Sequence, residues 1–204
     1  QKLKIHHSSI PILEKDAFGS LLIKQLDLSD NNMTEIKESA FHGQLDVLEE
    51  LAVTNNSLTT FPNLGKMSKL SSLDLSGNSL TAIPERAFAE TPKLKQLRLE
   101  RNQICTLTSN ALNETKEFLE LLDLSDNCFK AIPAQNFRGA QALTYLDMSN
   151  NELHDLPSLQ FMTLPLLKEV RLNGNKIKNF SPLAFMNVPN LQHFYLRHNE
   201  LNDL

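Results

Sequence analysis

The sequence predicts an α/β-type repeat solenoid, a coil in which every turn adds one short strand to a single parallel sheet and closes through a mostly irregular segment. Two observations predict it: apolar residues recur with a period near 24, and asparagine recurs at one place in that period. The composition fits. The chain has 204 residues, 41% of them hydrophobic, with no Trp and only 6 Gly against 20 Asn. That length makes one domain the expectation, and no stretch approaches the roughly 18 apolar residues of a membrane span. The formal net charge of −4 gives no basis for the non-specific electrostatic attraction by which basic proteins hold nucleic acid.

The repeat register follows from one alignment. Placing Ile23, Leu48, Leu70, Leu94, Leu119, Leu143, Leu167 and Leu191 in a column gives spacings of 25, 22, 24, 25, 24, 24 and 24, and a ninth unit starts near residue 1. With the column as position zero, positions +3, +5, +10 and +13 are apolar in all 36 instances, from Leu3 to Leu204. Apolar residues at +3 and +5 with polar ones between predict a strand with one buried face. Position +8 is Asn31, Asn56, Asn78, Asn102, Asn127, Asn151, Asn175 and Asn199, with Ser8 in the first unit. An Asn amide there both donates to and accepts from backbone groups of adjacent coils that would otherwise be buried unpaired. Ser8 supplies part of that pattern.

These positions spell LxxLxLxxNxL, as in LKQLRLERNQI from Leu94 and LSSLDLSGNSL from Leu70, so the chain resembles a leucine-rich repeat protein over its whole length. The resemblance implies a right-handed curved coil with its parallel sheet on the concave face and irregular convex segments. The return segment points to a subtype. Phe18, Phe41, Phe88, Phe137, Phe161 and Phe185 all fall at +18, Leu112 takes the place once, and Pro84, Pro133 and Pro157 follow +13. Prolines there disfavour a continuous convex helix. Phe at +18 of a 24-residue unit is similar to the class found in Toll-like receptors, Slit, small leucine-rich proteoglycans and neuronal and epithelial adhesion receptors. The unit at Leu48 departs: it is 22 residues long, has Phe61-Pro62 but no Phe at +18, and predicts a locally thinner coil.

The resemblance implies Cys-rich caps at the ends of such a solenoid, and none is present, so the sequence reads as a slice of a longer extracellular or cell-surface chain. Four sequons, at Asn32, Asn55, Asn113 and Asn179, are glycosylation candidates; Asn113 and Asn179 lie farthest from the strands. Cys105 and Cys128 fall at +11 and +9 of adjacent units. Two residues of offset between neighbouring strands separates the backbones by about 8 Å, past the limit near 7 Å for a disulfide. The expectation is therefore two separate thiols, with a bridge requiring local distortion.

Positions +2, +4 and +6 point to the open face. Its middle is acidic and its last two units are mixed, and Asp and Ser at these places belong to the repeat background. The departures are both tyrosines of the chain and an aliphatic neighbour. They predict a protein-binding patch of Leu121, Asp123, Tyr145, Asp147, Arg171, Tyr195 and Arg197, since aromatic and arginine side chains are common interface hot spots. A Gly-rich phosphate loop, GxSxG and HExxH are all lacking, and no cofactor or metal site is predicted. The resemblance implies a non-enzymatic ectodomain module that binds protein ligands in adhesion or in neurite, epithelial or matrix patterning. It binds neither nucleic acid nor, through this segment, a membrane, and dimerisation is left open. A Toll-type pattern-recognition ectodomain and a matrix-organising structural protein are the alternatives.

Overall fold

The computed structural model describes residues 1–202; Leu204, the final member of the +13 column, lies outside the described residues. Nine three-residue strands form one parallel sheet in chain order. They are Lys2–Lys4, Gln25–Asp27, Glu50–Ala52, Ser72–Asp74, Gln96–Arg98, Leu121–Asp123, Tyr145–Asp147, Glu169–Arg171 and His193–Tyr195. Each strand occupies positions +2 to +4 of its unit and pairs in register with the next, for example Leu97 with Leu122 and Leu122 with Leu146. The central residue points inward: Leu73, Leu97, Leu122, Leu146 and Val170 are all fully buried. One face of every strand thus belongs to the core, and the other is left open along the inside of the coil.

The return segments complete the core. Among the described residues the helical elements there are single turns, at His42–Gln44, Ala134–Phe137 and Pro182–Phe185, and two-residue strands pair in parallel between coils, Ile12–Leu13 with Glu35–Ile36 and Asp155–Leu156 with Asn179–Phe180. The +18 ring is buried in coil after coil, with Phe88 and Phe161 at 0% exposure and Phe137 at 1%. Neighbouring rings pack in offset stacks, Phe18 on Phe41 and Phe161 on Phe185 with centroids 6.3 and 5.0 Å apart, a preferred aromatic arrangement. The coil at Leu48 lacks that ring, and Leu64 and Met67 are buried in its return instead. Phe61 meets Phe88 edge-on at 5.4 Å. The lost bulk leaves a surface cleft lined by Phe61, Pro62, Gly65, Pro84 and Arg86.

The asparagine column is a continuous ladder. Asn102 shows its chemistry: Oδ1 accepts from Leu80 N at 3.0 Å, while Nδ2 donates to Leu75 O at 3.1 Å, Leu99 O at 3.0 Å and Glu100 O at 3.4 Å. One side chain thereby ties the turn of its own coil to two backbone groups of the coil before it. Asn127, Asn151 and Asn175 repeat the pattern. In the first coil Ser8 makes a reduced version, its N–H donating to Asn31 and its hydroxyl to His6 O.

Two further devices recur along the coil. The residue before the ladder, at +7, adopts left-handed φ between 51° and 65° in all nine coils, although its identities run His7, Asp30, Asn55, Gly77, Arg101, Asp126, Asn150, Gly174, His198. At Gly77 and Gly174 a Cβ would fall against the side-chain oxygens of Asn55 and Asn150 of the preceding coil, so a larger residue there needs those side chains to move. At +21, buried Gln44 donates to Leu21 O and accepts from Ile23 N, and buried Thr115 donates to Leu94 O. These side chains satisfy return-segment backbone that no strand reaches.

The structure corrects the expectation of two separate thiols. Cys105 and Cys128 are disulfide-bonded with Cα atoms 4.4 Å apart. The 8 Å figure assumed extended strands in flush register, but the strands end at +4 and the chain turns at +7. Beyond the turn, coils stack with a stagger: Cys128 N donates to Ile104 O, as Gln103 N does to Leu80 O and Glu152 N to Phe129 O. Position +9 therefore lies against +10 and +11 of the coil before, and the stagger absorbs the two-residue offset.

Candidate functional site

Charge on the open face is distributed unevenly because each coil contributes only its +2, +4 and +6 residues. Where Asp stands at +4 and Ser at +6, the two are engaged with each other. Oδ1 of Asp27, Asp74, Asp123 and Asp147 accepts from the backbone N–H of Ser29, Ser76, Ser125 and Ser149 at 3.2, 3.0, 3.0 and 2.8 Å. This explains the recurring Leu-Asp-Leu-Ser: the aspartate closes the turn that ends the strand. In the first coils Asp27 also meets His6 at 3.0 Å and Lys4 at 3.7 Å. Burial acts to raise its pKa, but hydrogen bonds from Ser29 and His6 outweigh it and hold the carboxyl below its usual value.

The middle of the face is different. Glu100 stands where most coils carry Ser or Thr, and its buried Oε2 has no hydrogen-bond partner. Burial, then the charges of Asp123 and Asp74, push its pKa up. Asp123 is also raised, chiefly by burial and further by Asp147, against the lowering effect of its bonds to Ser125. Two carboxylates on adjacent coils are thus held together without adequate counter-charge. Their neighbour Arg98 directs Nη1 to Gln96 at 3.3 Å.

At coils seven to nine the face becomes aromatic and cationic. The Arg171 guanidinium carbon lies 5.5 Å from the ring centroids of both Tyr145 and Tyr195, within cation–π range. Arg171 Nε pairs with Glu169. The Tyr145 hydroxyl donates to Asp147 Oδ2 at 3.1 Å, and burial followed by the Asp147 charge raises the Tyr145 pKa well above its ordinary value. His193 stacks on Tyr195 with centroids 6.2 Å apart. Register explains the assembly: Arg171 lies directly opposite Tyr195 and Glu169 opposite Tyr145, which puts Arg171 diagonally across from Tyr145.

Of the residues singled out from sequence, the structure brings Tyr145, Asp147, Arg171 and Tyr195 into one cluster. Leu121 is paired opposite Tyr145 and Asp123 opposite Asp147, and Arg197 is exposed beyond the last strand. Asp147 is 7% exposed and is consumed by Tyr145 and Ser149, so it positions the surface instead of presenting itself. Glu100, Glu169 and His193 were not singled out; Glu100 was detectable as a break in the Ser/Thr column. The sequons at Asn32, Asn55, Asn113 and Asn179 are all exposed. Among the described residues no group of His, Cys, Asp or Glu is arranged to hold a metal ion, and no helix is long and apolar enough to cross a membrane.

An open parallel sheet on a coil, with a built patch of side chains on its free face, defines a solenoid interaction module. The Leucine rich repeat family model matches residues 63–104 and 143–201, and the chain is a leucine-rich repeat protein. It is 33% identical over 111 residues to mouse leucine-rich repeat-containing G-protein coupled receptor 4, covering 53% of this chain and 12% of that receptor. Toll in a Toll–Spatzle complex from Drosophila superposes with a TM-score of 0.87 at 26% identity, covering 96% of this chain and 26% of that one. A TLR13–ssRNA13 complex gives 0.82 at 27% identity, covering 89% and 26%. The chain thus spans a small part of the length of these relatives, and its architecture is that of receptor ectodomain repeats.

Proposed function

We propose that this chain is the ligand-binding portion of a cell-surface or secreted adhesion or receptor protein, and that it engages a protein partner through the open face of coils six to nine. The observation that carries this reading is the Tyr145–Arg171–Tyr195 stack. Two rings and a guanidinium are held at 5.5 Å on rigid strands, so little side-chain entropy is lost when a partner docks. The relatives support a receptor role by likeness. The acidic centre and the net charge of −4 favour a protein partner over nucleic acid, since phosphates placed on Glu100 and Asp123 meet like charge. Tyr145→Ala and Tyr195→Ala, screened with the wild type against an array of secreted and cell-surface proteins, are expected to lose at least tenfold in affinity for any captured partner. Unchanged affinity in both variants moves the binding surface elsewhere.

An extracellular location is supported by the Cys105–Cys128 disulfide, because such bonds persist in oxidising compartments, and by the four exposed sequons. Mass spectrometry of the protein from its native source should find glycan on Asn113 or Asn179, and both cysteines resistant to alkylation until reduced. Bare asparagines with free thiols place it in the cytosol instead. Within the receptor reading, an innate-immune role of the Toll kind is favoured by the 0.87 superposition on Toll.

A further inference from the structure

Resting on the assignment of the open face as the binding surface, we propose that its occupant is a segment of a partner protein in the polyproline II conformation, carrying a basic and an acidic side chain about three residues apart, which that conformation puts on one face. The basic group sits on the Asp123 carboxylate, beside the charge of Glu100, and the acidic group on the Arg171 guanidinium.

The free valences select these groups. Asp147 is buried and already accepts from Tyr145 and Ser149. Asp123 uses Oδ1 for both the N–H and the hydroxyl of Ser125, which leaves Oδ2 for a ligand. Glu100 Oε2 is buried without a partner, so Glu100 adds negative charge behind Asp123, and burial with neighbouring carboxylates, Asp123 and Asp74 for Glu100 and Asp147 for Asp123, disfavours the charged form of each. An incoming ammonium or guanidinium relieves that repulsion and adds charge-assisted hydrogen bonds. On the other side, Arg171 commits Nε to Glu169 and is held between two rings, while its side chain remains 44% exposed. Its Nη edge is a preoriented fork for a carboxylate. Arg197 on the last coil adds a second positive charge nearby, so coils eight and nine carry a surplus of positive charge where coils five to seven carry a surplus of negative.

The spacing follows from the sheet. Asp123 and Arg171 stand on strands with one strand between them, a separation of about 10 Å at roughly 4.8 Å per strand, which a polyproline II segment crossing the strands spans in about three residues with both side chains on one face. Asp147, already committed to Tyr145 and Ser149, lies on the row between the two charged sites, and Leu121 and Tyr145 form an apolar row beside it. The two charges can come in either order along the segment. A single-stranded RNA satisfies only the Arg171 end and is repelled at the other.

The test uses the whole protein, immobilised, to pan a displayed library of random peptides, with a single-stranded RNA oligonucleotide assayed in parallel. The wild type should enrich peptides with Lys or Arg three residues from Asp or Glu. Arg171→Gln should weaken those peptides at least tenfold, and Arg171→Lys less. Asp123→Lys should abolish the preference for the basic residue and keep that for the acidic one. Unshifted thermal midpoints confirm that the variants are folded. Enriched peptides that lack the charge pair yet depend on Tyr145 overturn this inference alone. Peptides insensitive to both charge variants and to Tyr145→Ala overturn the binding face with it. No enrichment, or RNA binding through Arg171 in preference to peptide, also overturns the inference.

Discussion

Replacing Asn102 with Ala is expected to lower the unfolding free energy by about 2–4 kcal/mol: Leu80 N–H is left without its partner at about 1–3 kcal/mol, and three carbonyls that keep a second donor each lose one bond. The Asn102 amide contacts Leu80 N, Leu75 O, Leu99 O and Glu100 O, and the residue is 8% exposed, so water replaces few of these bonds. Asn102→Asp is expected to do at least as much damage. It keeps the acceptor but brings a negative charge against three carbonyl oxygens. Ser8→Ala, at the equivalent place in the first coil, removes only the hydroxyl bond to His6 O and should change stability by under about 1 kcal/mol. Urea unfolding followed by circular dichroism ranks the three variants. Because solenoid stability is a sum over coils and their interfaces, the Asn102 variants should also show an earlier transition confined to neighbouring coils. A loss below about 1 kcal/mol for Asn102→Ala contradicts the ladder as the source of coil-to-coil cohesion.

Phe88→Ala is the second large effect, expected to cost about 3–5 kcal/mol as a cavity in a closed core. Phe88 is fully buried, and its ring meets Phe61 edge-on at 5.4 Å. The preceding coil has no ring at +18, and a cleft already lies beside its return segment, so little is available to refill the space. Phe88→Leu reproduces what the next coil does with Leu112, and should cost less than about 1.5 kcal/mol. Thermal unfolding of both variants checks the pair. If Ala and Leu are equally tolerated, the +18 ring is a feature of the repeat and not its support.

Most of the architecture was legible because periodicity and burial are the same fact in a solenoid. Leu73, Leu97, Leu122 and Leu146 recur in sequence because each faces one interior, and Asn102 recurs as Asn127 and Asn151 because each coil repeats the same unpaired backbone groups. The left-handed +7 turn was missed, although Asp30, Asn55, Gly77, Asp126, Asn150 and Gly174 are of the types that tolerate that φ. His7, Arg101 and Gly77 share its geometry without sharing chemistry, since the ladder bonds on either side fix φ whichever residue is present. Gln44 and Thr115 were likewise hidden, their partners being irregular backbone 21 residues away.

For the site, the alternation of the strands placed Tyr145, Arg171 and Tyr195 on one face from sequence, because a period of two leaves no other side for them. Whether they touch was decided by register and by the diagonal reach of Arg171 across two strands. The same holds for charge. Sequence showed that Asp and Ser recur, and the folded coil showed that Asp147 is consumed by its neighbours while Glu100 is left unpartnered. The sequence by itself determined the coil, its core and its open face, because those depend on which residues repeat. Only the tertiary structure decided the Cys105–Cys128 bond, which depends on the stagger of the coils beyond the turn, and the working members of the patch, which depend on what each side chain meets across the sheet; spacing along one chain contains neither quantity.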